Sequence, residues 1–429
     1  MIDIPLLFVN KPIWSNASAR PSIQYSIVPY QASQNASVQP VLRDRLVLQP
    51  DIDLNQYHCR AVLDWVELRL DTTGKHQSVN IQRFAAKVLG DHGSSSSVFV
   101  WGSGRKVRYI GSQFILRVQQ PEPWALIPLC KQLYQKYLPG ACSIAELQIA
   151  GMEVSVDFVV KGQQRLSPDT RNLLRWRMTE LLRRHLKPHE VLTEEERCYP
   201  RFYSDATGKG SAVFFVETKK PKAFGNAYTE IMKLGLPMSV LGPLHRSSHN
   251  QAPVDTTSYI GEKNCPVMLR VMDKTTDRRH PDKGNVVQLP EQYRRSRVEV
   301  TLQSDGDNVG GAAAVGVETI SDLFSFQFQK IRKPIFEFFL PTFNTGDEMA
   351  DLPFSVKVTE RGVFERSGVY GLDRTHRSIQ QIRTARYRKK EIADKPNALG
   401  SKGRLLSYIE LNGKVDRALR KLSKDWNVQ

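Results

Sequence analysis

The sequence predicts an α+β fold, in which a mostly antiparallel sheet with packed helices is followed by a basic, largely helical C-terminal region. Three observations predict it. Period-two alternation, which is typical of strands, occurs in HCRAVLDWVELRLD and GMEVSVDFVV. Helical periodicity separates such segments, as in PWALIPLCKQLYQKYL. The last 59 residues hold 15 Lys and Arg against 6 Asp and Glu, in a helical pattern.

The elements follow in order along the chain. Residues 1–50 are predicted to form an N-terminal arm or lead-in, because 12–42 are rich in Ser, Asn, Gln, Ala and Pro and carry almost no charge. Residues 51–305 form the sheet domain, which begins with HCRAVLDWVELRLD. A Gly-Ser-Gly-Arg turn joins SSVFVWGSG and KVRYIGSQFILRV and predicts a hairpin.

A second series of elements completes this domain. The helix PWALIPLCKQLYQKYL precedes the strand GMEVSVDFVV. Ser167, Pro168 and Asp169 form a helix start before LLRWRMTELLRRHL, with an N-cap and a proline at the first position. The strand GSAVFFVETK, a helix around NAYTEIMKLG, a hairpin over 256–274 and the strand RVEVTL follow.

The third region, residues 306–429, is predicted to be a basic DNA-binding region. The stretch SDGDNVGGAAAVG, residues 304–316, has the composition of a linker. Helices are predicted at about 376–392 and 401–426, with basic side chains placed to contact phosphates: Arg383, Arg386, Arg388, Lys389 and Lys390. A solvated helical face is the alternative, and for the charge run alone it is the better interpretation.

Charge and composition limit the class of protein. The net charge of +17 indicates a polyanionic partner, with nucleic acid as the leading candidate. No apolar run is long enough to span a membrane, and the N-terminus has no secretory pattern. The five widely spaced cysteines favour a reducing cytoplasm. GKGSA lacks the Walker pattern, and no two histidines are separated by a single residue, so ATP hydrolysis and a His-x-His metal clamp are not indicated.

Carboxylates occupy unusual strand positions. In VLDWVELRLD, alternation places Asp64 on the same face as Val62 and Val66, where an unpaired carboxylate costs several kcal/mol. Asp64 is therefore a candidate metal ligand, although a buried Asp that pairs with an Arg or caps a loop would fit the same pattern.

Further carboxylates follow the same logic. Alternation puts Glu153, Ser155 and Asp157 on one face of their strand, and Arg297, Glu299 and Thr301 on one face of another. Asp273 continues the face of Leu269 and Val271. Either polar face also fits an ordinary half-solvated sheet, but together these residues offer enough oxygen ligands for Mg²⁺ or Mn²⁺.

The order of these motifs resembles the rolling-circle replication initiators, namely the trans-acting plasmid type and the related filamentous-phage initiators. The motifs are DWV at 64–66, EVSVDF at 153–158, YIG at 259–261, RVMDK at 270–274 and RVE at 297–299. The usual family forms are Y-I-G-S, R-x-Y-D-K and R-x-E. Met272 stands where the family has Tyr, and Glu262 stands where it has Ser.

The resemblance implies a nicking and closing enzyme in a bacterial cytoplasm. Tyr259 would attack a phosphodiester, Asp273 and Lys274 would border the scissile group, and Tyr203 is the reserve nucleophile. Lys274 and Arg270 are also candidate catalytic cations, since a positive charge nearby favours the phenolate. The metal ligands would be Asp64, Asp157, Glu299 and Asp273, and Arg297 would contact DNA. The expected partners are origin DNA, both double- and single-stranded, a host helicase and, in a homodimer, a second copy of the chain.

Other functions fit the same residues. A conjugative relaxase would use the same chemistry for a different purpose. A non-catalytic DNA-binding regulator that retains the fold is the alternative from a different class. An RNA-binding protein is less favoured, because the sequence carries no ribonucleoprotein motif.

Overall fold

A computed structural model of the chain describes residues 1–9, 20–30, 42, 45–102, 106–138, 140, 143–188, 201–204, 211–214, 250–261, 265–280, 285–304, 311–344, 360–389 and 405–427. Within these residues the chain forms helices and antiparallel sheets, as the sequence predicts. The strands are β1 (Ile2–Pro5), β2 (Ser22–Pro29), β3 (Arg45–Pro50), β4 (Tyr57–Gln77), β5 (Ser97–Gly102), β6 (Ile110–Gln119), β7 (Ile149–Val160), β8 (Arg201–Ser204), β9 (Ser211–Phe214), β10 (Thr257–Ile260), β11 (Val267–Lys274), β12 (Thr276–His280), β13 (Asn285–Gln288), β14 (Arg295–Gln303), β15 (Phe339–Asn344) and β16 (Leu405–Ser407). The helices are α1 (Ser78–Asp91), α2 (Pro123–Tyr137), α3 (Pro168–His185), α4 (Ile320–Ser325), α5 (Arg332–Ile335), α6 (Glu360–Lys389) and α7 (Ile409–Trp426).

The larger sheet has nine strands in the order β5-β6-β4-β7-β14-β11-β10-β8-β9. Each strand pairs antiparallel with its neighbours. Long strands that alternate apolar and polar residues allow one face to be buried while the other stays polar. The apolar face contributes core residues from the central strands: Val154, Val156, Phe158, Leu269, Val271, Val298, Val300 and Leu302.

Helices α1, α2 and α3 cover the apolar face. The side chain of Ser167 caps α3 by accepting a hydrogen bond from the Thr170 amide, as predicted from the sequence. Tyr57 of β4 donates to the Leu174 carbonyl of α3 at 2.9 Å. Beside it, α1 packs on β5 and α2 packs on α1, so that their apolar residues join the same core.

Strand β4 contains a bulge that changes the predicted faces. The pairing with β7 is regular up to Leu63, which lies opposite Val154, and resumes with Trp65 opposite Glu153. The extra residue is Asp64. The prediction that Asp64 lies on the apolar face is wrong: Asp64 shares the polar face with Ser155, while Leu63 before the bulge is buried in the core.

A second sheet joins the two ends of the chain. Its strand order is β1-β2-β3-β15-β16, so strands from the first 50 residues pair with strands from beyond residue 338. Ile23 and Tyr25 of β2 are fully buried. The described part of the predicted N-terminal arm is therefore structural, because its alternating residues close a core with the C-terminal region.

The C-terminal region also packs against the nine-stranded sheet. Ile149 donates a backbone hydrogen bond to Glu318 at the start of β7. Helix α7 buries an apolar stripe, including Leu411, Val415 and Leu419, and contacts β4. The predicted linker lies partly at 305–310, outside the described residues, but the chain is packed again from residue 311. The boundary at 305/306 thus does not separate two independent cores.

Helix α6 begins at Glu360, earlier than the predicted 376, and it is interrupted at Gly368. The φ angle there is +67°, in the region that favours glycine. A Cβ at Gly368 would approach the Arg184 backbone of α3 to within 2.5 Å. The absence of a side chain therefore lets α6 cross α3 at close range.

Two predicted elements are only partly visible. The hairpin over 256–274 is confirmed as β10 and β11, and the φ of +87° at Gly261 turns the chain after β10. Glu262 and the helix predicted around NAYTEIMKLG lie outside the described residues.

In the part of the chain that the structure describes, no helix combines the length and the apolar character that a membrane crossing requires.

Candidate functional site

A row of side chains crosses the polar face of the nine-stranded sheet. Tyr259 on β10 lies opposite Arg270 on β11. Arg270 lies opposite Glu299 on β14, and Glu299 lies opposite Ser155 on β7. Directly opposed residues in a sheet share a face and are close enough to interact. The register therefore places the predicted nucleophile two strands from an acidic residue, with an arginine between them.

Three carboxylates meet at this row. Oxygen atoms of Asp64, Glu153 and Glu299 all lie within 4.8 Å of one another, and we call these residues the acidic triad. Glu153 and Glu299 are buried and Asp64 is partly buried. The bulge in β4 supplies Asp64, while β7 and β14 supply the other two residues, so all three come from adjacent central strands.

Arg270 is bound to the acidic triad. Its Nη2 donates to Glu153 and forms an ion pair with Glu299. Thr301 donates to Glu153 at 2.6 Å, and Ser155 donates to Asp64. Burial by itself would lower the pKa of the Arg270 guanidinium. The charges of Glu299 and Glu153 outweigh burial and raise the pKa, with a smaller contribution from the nearby phenol of Tyr259.

Two carboxylates of the triad, Glu153 and Asp64, resist ionisation. Burial, reinforced by the charge of Glu299, raises the pKa of Glu153 from its ordinary value to about 7. Burial also raises the pKa of Asp64, although the charge of Arg297 opposes it. Since desolvated carboxylates at this spacing repel one another, a further cation in contact with the triad would be stabilised.

Asp157 belongs to a separate cluster on the same face. Arg297 donates to it from Nε at 2.5 Å and from Nη2 at 2.9 Å, and Arg60 and Arg295 also pair with it. Burial would raise the pKa of Asp157, but the hydrogen bonds and charge of Arg297 outweigh this and lower it. Asp157 is therefore committed to arginines, and the structure does not bring it into the acidic triad.

Arg297 does not have the position predicted for a DNA contact. Its side chain is buried, and its Nη1 also donates to Asp64 at 2.9 Å. The guanidinium thus joins the acidic triad to Asp157 inside the protein. Since its donors are directed inwards at two carboxylates, we correct the prediction to a structural role.

Asp273 lies on the opposite, apolar face of the sheet. Arg175 of α3 donates to it twice, from Nε at 2.5 Å and from Nη2 at 3.2 Å. Asp273 therefore ties α3 to β11 and is separated from the acidic triad by the sheet. Lys274, in contrast, lies opposite Arg295 at the end of β11, four residues beyond Arg270.

The remaining predicted residues are placed less completely. Tyr203 on β8 lies opposite Thr257, two positions before Tyr259 on β10. Arg383, Arg386, Arg388 and Lys389 lie in the last two turns of α6, where their side chains are outside the described part of the structure. Lys390 lies outside the described residues.

Sequence reasoning missed Glu153 as a member of the triad. Alternation places it on one face with Ser155 and Asp157, but the family resemblance assigns the metal to Asp157. The distinguishing signal is the pairing register, in which Glu153 lies opposite Trp65 beside the bulge. Local alternation does not contain that information.

The chain matches no protein-family model and no curated protein. The functional interpretation therefore depends on the site itself, which combines a tyrosine, an arginine and three crowded carboxylates on one sheet face.

Proposed function

We propose that this protein is a metal-dependent DNA nicking and rejoining enzyme that initiates rolling-circle replication. The observation that carries the proposal is the cross-strand row in which Tyr259 lies opposite Arg270 and Arg270 lies opposite Glu299 of the acidic triad. Nucleophile, phosphate-binding cation and metal ligands are the parts that phosphodiester transesterification needs.

The proposed reaction exchanges one phosphate ester for another. The phenol oxygen of Tyr259 loses its proton to solvent and attacks phosphorus, which forms a tyrosyl 5′-phosphate. The bond from phosphorus to the 3′ oxygen breaks, and that oxygen takes up a proton to give a 3′-hydroxyl primer. Because the phosphodiester energy is kept in the tyrosyl ester, rejoining needs no ATP, which agrees with the missing Walker motif.

The acidic triad fits Mg²⁺ or Mn²⁺, since both cations prefer carboxylate oxygens. When bound, the cation would neutralise a phosphate oxygen and favour the phenolate. Arg270 would contribute without the cation. Its guanidinium is close to Tyr259 and can donate hydrogen bonds to a phosphate that enters the site. Asp157 and Asp273 are assigned structural roles in this proposal.

A non-catalytic DNA-binding regulator is the second candidate. It is favoured by the position of Arg270, which already pairs with two of the three carboxylates of the triad, Glu153 and Glu299, without any metal. The two functions differ in one product, a covalent link between protein and DNA. Origin DNA and a host helicase are the proposed partners of the enzyme.

The decisive experiment measures that covalent product. Supercoiled DNA with a candidate origin, and 3′-labelled random single strands, are incubated with the protein in Mg²⁺ or Mn²⁺. A labelled adduct that survives denaturation is expected, because a 5′-phosphotyrosine retains the 3′ fragment. Tyr259→Phe should abolish it, whereas Tyr293→Phe, at a tyrosine that is 55% exposed, should not.

Each other outcome has a defined meaning. An adduct that persists in Tyr259→Phe and disappears in Tyr203→Phe would preserve the function and move the nucleophile. Binding of DNA without any adduct in either metal would reject the enzyme and favour the regulator. Peptide mapping of the adduct identifies the modified tyrosine directly.

A further inference from the structure

A second group of side chains lies on the polar face, beside the acidic triad. It consists of Trp65 on β4, Phe99 and Trp101 on β5, and Arg117 on β6, and we call it the aromatic ledge. Phe99 lies opposite Arg117, and Trp65 lies opposite Glu153 of the triad. The ledge is thus continuous with the candidate active site along one face of the sheet.

The rings of the ledge are ordered. Phe99 and Trp101 are stacked, with centroids 6.1 Å apart and an angle of 15° between their planes. The Arg117 guanidinium lies 3.8 Å from the centroid of the Trp65 ring and 5.4 Å from that of Trp101. Trp65 is 4% exposed and supports Arg117 from beneath, so the flat groups that the ledge presents are Phe99, Trp101 and the guanidinium of Arg117.

Arg117 is fixed by a buried carboxylate. Glu67, which is 1% exposed, accepts from Nε at 2.9 Å and from Nη2 at 2.6 Å of Arg117. The negative charge of Glu67 offsets the positive charge of Arg117, and the two hydrogen bonds fix the plane of its guanidinium. Arg117 thus offers a flat surface for stacking, and its contribution to phosphate attraction is small.

Burial of the core does not explain the outward aromatic residues. Val98 and Val100 of the same strand point to the opposite face and are buried near α1. Phe99 is 44% exposed, and β5 is at the edge of the nine-stranded sheet as described. A single exposed aromatic side chain is common, but a stacked pair beside a fixed arginine forms an organised surface.

The charge of the protein indicates what this surface binds. A chain with a net charge of +17 attracts polyanions, and single-stranded DNA adds flat bases to its phosphates. Bases stack on aromatic rings and arginine planes when they are not paired. In a duplex, the base faces are hidden in the helix, so the ledge would select a single strand.

We propose that the aromatic ledge binds the bases of single-stranded DNA that extends from the active site. The choice of DNA rests on the proposed function, while the ledge itself would bind without metal and without Tyr259. From Glu153 on β7 to β5 is three strand spacings, or about 14 Å. A strand held at the triad therefore reaches the ledge within a few nucleotides.

The test measures binding of a fluorescent single-stranded DNA oligonucleotide to the full chain in EDTA, where no cleavage occurs. Phe99→Ala and Trp101→Ala are each expected to weaken binding about tenfold, as loss of one stacked base does. Phe99→Tyr should bind as the unsubstituted protein does, because it keeps the ring. Trp124→Ala, at a tryptophan of α2 that is 52% exposed, is the matched control and should have no effect.

Two further measurements, the salt dependence of binding and the affinity for duplex DNA, distinguish base stacking from phosphate contacts. The ledge variants should keep the salt dependence of binding, because they remove no phosphate contact. Their affinity for duplex DNA should be unchanged. Equal affinity of the ledge variants and the unsubstituted protein for single strands would overturn the proposal, as would tighter binding of a single-stranded RNA of the same sequence.

This outcome is independent of catalysis. Loss of single-strand binding in the ledge variants, with no covalent adduct in the unsubstituted protein, would retain the ledge and reject the nicking function. An adduct at Tyr259 together with unchanged single-strand binding in the ledge variants would support the nicking function and reject the ledge as a binding site for bases. Circular dichroism and thermal unfolding of each variant confirm that the fold is intact.

Discussion

Arg297 donates two hydrogen bonds to the buried carboxylate of Asp157, and through its third nitrogen it also binds Asp64 of the acidic triad. One guanidinium therefore connects β14 with both β7 and β4. The guanidinium is a rigid, planar fork with five N–H donors, so it can hold two carboxylates at once in a fixed geometry, whereas the ammonium of lysine is a point charge on a flexible stem. Arg297 is the link between the stability of the central sheet and the geometry of the candidate site.

Replacement of Arg297 should destabilise the fold strongly. Arg297→Ala leaves two desolvated carboxylates short of a partner, which costs about 3–5 kcal/mol for a buried pair. Urea unfolding in EDTA measures the change. Arg420→Ala is the control, since Arg420 pairs with Asp416 on the surface of α7 and should change the free energy of unfolding by less than about 1 kcal/mol. A loss of less than 1 kcal/mol in Arg297→Ala would contradict this role.

Glu153 should make the stability of the metal-free protein depend on pH. Its pKa is raised by burial from 4.5 to about 7, so the folded state binds its proton more tightly than the unfolded chain does. That contribution is fully present below about pH 4.5 and is lost as the pH rises through about 7, with a total of about 3 kcal/mol.

Glu153→Gln removes this titration. The free energy of unfolding of the unsubstituted protein should therefore fall relative to that of Glu153→Gln between pH 4.5 and pH 8. Urea unfolding of both proteins in EDTA across this range provides the comparison. A difference between the two proteins that stays constant with pH would show that Glu153 does not titrate there.

Much of the large sheet could be predicted from local pattern, but the faces at Asp64 could not. Alternation in VLDWVELRLD identifies a strand correctly, and a bulge at Asp64 then shifts the register by one residue. Such a shift moves every following side chain to the other face. Asp64 therefore joins the triad for a reason that lies in the pairing with β7, which the sequence of β4 does not contain.

Long-range pairing explains the other differences. The sequence groups Asp157 and Asp273 with the metal ligands, but their partners Arg297 and Arg175 come from distant segments. The second sheet is a similar case, because β3 pairs with β15 almost 300 residues later. Tyr259, Arg270 and Glu299 do lie side by side, since each belongs to a strand that the motifs mark correctly.

Gly368 should be intolerant of substitution. Its φ of +67° disfavours any side chain, and a Cβ would meet the backbone of Arg184 at 2.5–2.9 Å. Gly368→Ala should cost at least about 2 kcal/mol, because both strain and a clash with α3 are introduced. Gly90→Ala in α1 is the matched control, since nothing lies within 4 Å of its added Cβ, and it should be neutral or stabilise by up to about 1 kcal/mol. Thermal unfolding distinguishes them, and equal effects at both glycines would refute the close-approach argument.

Divalent cations should stabilise the protein through the acidic triad. A ligand that binds only the folded state adds about 2.7 kcal/mol at one hundred times its dissociation constant. Mn²⁺ should therefore raise the midpoint of thermal unfolding, and Asp64→Asn or Glu299→Gln should remove most of this increase, since each takes away one of three closely spaced oxygen ligands.

Asp273→Asn separates metal binding from general stability. It breaks the pair with Arg175 on the opposite face, so it should lower the unfolding midpoint in EDTA while it keeps the full increase caused by Mn²⁺. The triad variants should show the reverse pattern, because relief of crowding among desolvated carboxylates offsets their lost contacts. If Mn²⁺ does not change the midpoint of the unsubstituted protein at any pH from 6 to 9, the triad serves only to hold Arg270, and the metal-dependent chemistry at Tyr259 is rejected with it.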